Sequence, residues 1–144
     1  MQATVVPLPP WSPAALTLRP KQPLGPTCAC TSIAVVPAAP EGTTELLYRS
    51  VYVFARRHGA ENLVAAVDPM TLDVFREEYG ILFRALGPIT TRLGFDSLTV
   101  GEEMGQLEAG LRAQRPDFYD FLTEPFTDNE RHRFGLGPRM GTLA

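Results

Sequence analysis

A chain of 144 residues, 44% hydrophobic and 20% charged, has the length of a single domain that can bury one core. Its formal net charge of −3 excludes the basic footprint of a nucleic-acid binder, and the short runs Arg56-Arg57-His58 and Arg131-His132-Arg133 read as solvated surface. Without an apolar run of about 18 residues no membrane span is expected, and without the basic start and apolar block of a signal peptide a cytoplasmic location is expected.

Residues 1–27 differ from the rest. Most of the fourteen prolines and the only lysine, Lys21, lie in the first forty residues, and the first acid is Glu41. Because proline fixes φ and removes a backbone donor, Val6-Pro7-Leu8-Pro9-Pro10 and Arg19-Pro20-Lys21-Gln22-Pro23 cannot join a central strand. Residues 1–27 are therefore read as a proline-rich, disordered leader.

From residue 28 the composition turns small and β-branched, which predicts a strand over 28–36 closed by Pro37. This reading sets Cys28 and Cys30 on opposite faces and makes a disulfide between them sterically poor. Neither His58 nor His132 supplies the second ligand pair of a zinc site, so no metal is expected. Gly42-Thr43-Thr44 opens a helix with Glu45 in its first turn. Leu47, Val51, Phe54 and His58 recur at helical spacing, and Gly59 ends the run. Leu63 to Val67 is a short apolar run, read as a buried parallel strand. Asp68 as N-cap and Pro69 at the first helical position open a second helix that Gly80 stops. A strand over 81–86 ends at Gly87-Pro88, and a weaker one is expected over 95–100. A helix over 102–114 follows, then a short amphipathic piece at 118–122. Residues 125–144 are read as a flexible tail. Alternating strands and helices imply a βαβ crossover and a sheet covered by helices.

Several stretches carry a family resemblance. Ser32-Ile33-Ala34-Val35-Val36-Pro37 resembles the acyl-donor strand of GNAT-type acyltransferases and the turn after it. Leu46-Leu47-Tyr48 through Ala55-Arg56-Arg57-His58-Gly59 resembles the helix behind that turn. Val67-Asp68-Pro69 through Tyr79-Gly80 resembles the strand and helix that come next. Leu86-Gly87-Pro88, Gly94 and Arg115-Pro116-Asp117-Phe118 are similar to the N-acyl amino acid synthase and acyl-homoserine-lactone synthase branch. The resemblance implies a partial GNAT-like α/β fold over residues 28–124, a mixed sheet flanked by helices, matching the C-terminal half of the family.

It also implies a reaction, the attack of an amino acid-like amine on an acyl thioester carried by an acyl carrier protein or coenzyme A, with no permanently bound cofactor. The pantetheine arm would lie between two splayed strands, at Ile33, Ala34, Val35 and Val36 facing residues 63–67. Its phosphates would meet the helix start at Gly42, Thr43 and Thr44. Val51, Phe54, Phe75, Phe83 and Leu86 would line an acyl cleft or fill the core. The catalytic residues are unassigned. The family's donor-strand acid and arginine fall on Ala29 and Ser32, only Gly42 survives of the pyrophosphate loop, and Arg76 stands where many acetyltransferases keep a tyrosine acid. Glu45, Asp68, Asp73 and Glu102 are the carboxylates open to a base's role. The strands that precede the donor strand in the family are expected from a partner chain or a second copy. The alternatives are a non-catalytic remnant or regulatory module of the same fold, and an unrelated small α/β binding domain.

Overall fold

A computed structural model describes residues 2–6, 25–92 and 94–139. Their strands are β1 (Gln2–Val6), β2 (Thr27–Ser32), β3 (Asn62–Val67), β4 (Arg84–Ala85), β5 (Thr90–Arg92) and β6 (Phe95–Glu103). Their helices are α1 (Thr43–Arg57), α2 (Pro69–Tyr79), α3 (Met104–Gln114), α4 (Pro116–Thr123) and α5 (Asp128–Phe134). The sheet runs β1-β2-β3-β6-β4, with β5 folded onto β6 as a hairpin arm. β2 and β3 are parallel and joined by α1, the expected crossover, whereas the other pairs are antiparallel. The described residues form a mixed sheet flanked by helices, the α/β architecture anticipated from the sequence.

Where elements begin and end follows local chemistry. Asp68 caps α2 by accepting from the Thr71 amide at 2.9 Å, Pro69 occupies the first turn, and Gly80 closes the helix at φ 67°. Gly101 is a packing requirement, since a Cβ there would lie 2.9 Å from the Leu63 carbonyl oxygen and 3.1 Å from Val64. It faces Val64 on one side and Arg84 on the other, deep in the ladder.

Four expectations need correction. The donor strand occupies Thr27–Ser32 rather than 28–36; Ile33 to Val36 lie beyond its end, outside the β2–β3 ladder. Part of the supposed leader is a strand: Gln2–Val6 precedes the first proline, is rich in β-formers, and pairs antiparallel with β2. Residues 7–24 of that leader lie outside the described residues. The segment after residue 125 is not a loose tail up to 139. Phe126 and Leu136 are buried, and α5 carries a complete capping box between Thr127 and Glu130. Cys28 and Cys30 share a face, as strand residues two apart do, Cys28 within the core and Cys30 packed against it.

The core lies between one sheet face and the helices. It joins Cys28 and Leu63 from the strands, Val51, Tyr52 and Ala55 from α1, Leu107 and Leu111 from α3, and Phe118, Tyr119 and Leu122 from α4. α1 is clasped by the C-terminal helices through ion pairs of Arg49 with Glu124 at 3.1 Å and of Arg57 with Glu130 at 2.8 Å. Among the described residues no helix is long and apolar enough to cross a membrane.

Candidate functional site

The β2–β3 ladder ends early. Its last pair is Cys30 with Ala65, yet β3 continues against β6 as far as Val67, opposite Leu98, while β2 continues to Ser32 against β1. Each strand leaves the other for its outer neighbour, so a gap opens between two parallel strands whose facing backbone groups no longer pair with each other.

A cavity of about 410 Å³ opens at this gap, within the size range of small-molecule sites. Cys30, Ile33, Val35, Thr44, Asp68 and Thr71 border it near the ladder's end, and Val51, Tyr52, Leu107, Leu111 and Leu122 line it in the core. The gradient from half-exposed to buried residues gives the cavity a mouth and an inner end. Of the seven residues expected to hold the donor, Ile33, Val35 and Thr44 line it. Ala34 and Val36 face solvent. Gly42 sits before α1 in the left-handed region at φ 84°. Thr43 is committed to Pro40, donating both its amide at 3.2 Å and its hydroxyl at 2.7 Å to that carbonyl. The amides of Thr44 and Glu45 have no partner among the described residues. Of the expected cleft residues, Val51, Phe75 and Phe83 line the cavity; Phe54 and Leu86 do not.

Two tyrosines, Tyr48 and Tyr52, line this space, and a third, Tyr79, packs against Tyr48. The Tyr79 hydroxyl donates to Glu45 at 2.9 Å, and burial and that carboxylate raise its pKa. The Tyr52 hydroxyl donates to buried Glu108 at 2.7 Å; burial first, then Glu108, raises its pKa. The Tyr48 hydroxyl has no hydrogen-bond partner among the described residues, while its ring is held edge-on by Phe75 at 5.4 Å and Tyr79 at 5.3 Å. Burial raises its pKa, with Glu45, Glu78 and Cys30 adding to the effect, so the phenol stays protonated. In the sequence Tyr48 is part of the helix stretch that carries the resemblance but is given no role of its own, because its position depends on the tertiary approach of α1 to α2.

The carboxylates open to a base's role are all engaged. Glu45 accepts from Tyr79. Asp68 accepts from the Thr71 amide and hydroxyl, which lower its pKa. Glu102 pairs with Arg84 at 3.1 Å, and Asp73 stands 3.9 Å from the exposed Arg76. Arg115 holds Asp117 through two bonds of 3.0 and 2.9 Å, structuring the start of α4. Among the described residues no cluster of His, Cys, Asp and Glu could hold a metal. The Cys28 thiol is pushed up to about 11 by burial and then by Cys30, which makes it an inert core thiol.

Comparison with solved structures finds chains of similar fold. The chain superposes on a CoA-dependent acyl-homoserine lactone synthase, BjaI, with MTA at a TM-score of 0.51 and 15% identity, over 77% of this chain and 53% of that one. The same synthase with SAM and isopentyl-CoA gives a TM-score of 0.52 at the same identity and coverage. FeeM, an N-acyl amino acid synthase from uncultured soil microbes, matches at a TM-score of 0.44 and 12% identity, over 60% of this chain and 51% of that one. No family model matches the chain, and no curated protein sequence does. The chain therefore shares the fold of this acyl-homoserine lactone synthase over 77% of its own length and spans about half the length of that protein.

Proposed function

We propose that this protein binds an acyl thioester, with the pantetheine arm in the gap beyond Cys30 and Ala65 and the acyl chain in the apolar cavity, and transfers the acyl group to an amino acid-like amine. The observation that carries this reading is an apolar cavity entered where two parallel strands part. Backbone groups of residues 33–35 and those of Ala66 and Val67 turned away from β6 suit the amides of a pantetheine arm. The amides of Thr44 and Glu45, at the positive end of α1, suit its phosphates. The amine attacks the thioester carbonyl, the C–N bond forms, the C–S bond breaks, the nitrogen gives up a proton to solvent, and the departing thiolate takes one, leaving an amide and a free thiol. In this reading Tyr48, a protonated phenol lining the cavity, supplies the thiolate's proton. The donor is an acyl carrier protein or coenzyme A. Further strands and the amine-accepting region come, in this reading, from a partner chain or a second copy.

A second reading, acyl binding without turnover, draws support from the engagement of all four candidate carboxylates. One experiment separates the two: incubation of the purified protein with long-chain acyl-CoA or charged acyl carrier protein and a panel of amino acids. Free thiol released only when an amine is present supports transfer. Saturable acyl-thioester binding without release supports the second reading, and absence of both overturns the acyl assignment.

A further inference from the structure

At the inner end of the cavity, Tyr52 lies in an apolar wall with Leu107, Leu111 and Leu122, itself 3% exposed. Its hydroxyl donates to Glu108 Oε1 at 2.7 Å. The same oxygen accepts from Arg56 Nε at 2.6 Å, and Arg56 Nη2 lies 2.5 Å from it. Glu108 is 4% exposed. Behind the Tyr52 ring, Phe126 packs edge-on with ring centroids 5.9 Å apart.

A buried carboxylate and guanidinium are costly to desolvate, and apolar residues of similar volume commonly hold a core together as well or better. What the polar trio supplies is direction. A phenol bonded at its tip to a charged acceptor, and backed by a second ring, cannot swing aside when something presses on its face.

We propose that Glu108 and Arg56 pin Tyr52 as a fixed stop, so that its ring sets the longest acyl chain the cavity admits. The inference rests on the acyl-binding reading above and assigns Tyr52 to length selection, with Glu108 and Arg56 as positioning residues. The ligand class follows from the apolar walls: an aliphatic chain enters from the gap, and its terminal methyl meets the Tyr52 ring.

The test is calorimetric titration of the full chain with saturated acyl-CoA thioesters of increasing length. For the unaltered protein, affinity rises about fourfold for each added methylene until a sharp cut-off. Tyr52→Val moves that cut-off to longer chains, by about two methylenes, because close packing leaves the freed volume directly usable. Leu122→Phe, beside Tyr52 in the same wall, moves it to shorter chains without touching the network, and Tyr52→Phe decides the matter if Tyr52→Val does not fold. Tyr52→Phe, which keeps the ring and loses the pin, blurs the cut-off, whereas Glu108→Gln, which still offers an acceptor to the hydroxyl, preserves it. A network with only a structural role would lower melting temperatures and leave the cut-off where it was; that result overturns the stop while leaving the acyl site standing. Absence of binding at every chain length overturns the acyl site, and the stop with it.

Discussion

At its mouth the cavity is bordered by Ile33, Val35 and Thr44, in a segment where Val36 is 68% exposed, Gly42 is left-handed, and Thr43 hydrogen-bonds to nearby Pro40. At its inner end it is closed by α3 and α4, with Phe126 behind, and there Tyr52, Arg56 and Glu108 are bonded to one another across two helices. No buried side-chain nitrogen or oxygen among the described residues lacks a hydrogen-bond partner. The contrast separates two jobs: a mouth that leaves backbone groups for a ligand to bond, and an end wall that leaves nothing unpaired and so resists deformation. Substitutions at the wall should show in stability or chain selection, and substitutions at the mouth in donor handling.

The largest effect is expected at the wall. Phe126→Ala empties a site that is 0% exposed and should cost about 3–5 kcal/mol in urea unfolding; a cost under about 1 kcal/mol would mean that the segment after residue 125 does not close the domain. Tyr48→Phe keeps the ring and its edge contacts. If the phenol serves as proton donor, thiol release from an alkyl thioester should fall about 100-fold with little change in melting temperature. An aryl thioester, whose thiolate leaves without help, should be nearly insensitive. Equal losses on both substrates would remove Tyr48 from the chemistry. Smaller still is Gly42→Ala. Its Cβ meets nothing within 4 Å, so only the left-handed backbone resists it, at about 1 kcal/mol, measurable by thermal unfolding.

Much of the mouth was legible in the sequence, because strand ends, caps and glycines are local signals. Asp68-Pro69 and Gly80 bound α2 as their chemistry requires, and the alternation of strand and helix gave the parallel β2–β3 pair. The register of β2 was not legible: Ile33 to Val36 is as β-prone as Thr27 to Ser32, and only the departure of β3 toward β6 decides where the ladder stops. Gln2–Val6 was obscured by the prolines that follow it, since a composition average over forty residues hides five that have none. The end wall was illegible for a different reason. Glu108 lies more than fifty residues from both Tyr52 and Arg56, and helix periodicity marks a face as apolar without saying that a charge will be buried there. Phe126 and Leu136 were passed over because Pro125, Gly135 and Gly137 around them signal turns, yet turns are what fold these side chains back onto the core.

The smallest expected effect tests how α5 is fastened to the wall. Glu130 receives Arg57 at 2.8 Å and completes the capping box with Thr127. The Arg57 guanidinium first, then the Thr127 amide, lower its carboxyl from 4.5 to about 2. A carboxylate depressed in the folded state contributes stability above its unfolded pKa and loses it as pH falls through the folded one. The melting temperature should therefore slope downward between about pH 4.5 and pH 2, by an amount limited by the exposure of the pair. Asp117, held at about 2 by Arg115, contributes to the same slope at the start of α4. Glu130→Gln keeps an amide oxygen for the cap and loses the charge, so its melting temperature should be lower at pH 6 and flatter in acid. A slope unchanged by Glu130→Gln would assign the acid sensitivity to the Arg115–Asp117 pair, and would mean that the clasp between α1 and α5 is held by apolar packing of Phe126 and Leu136 alone.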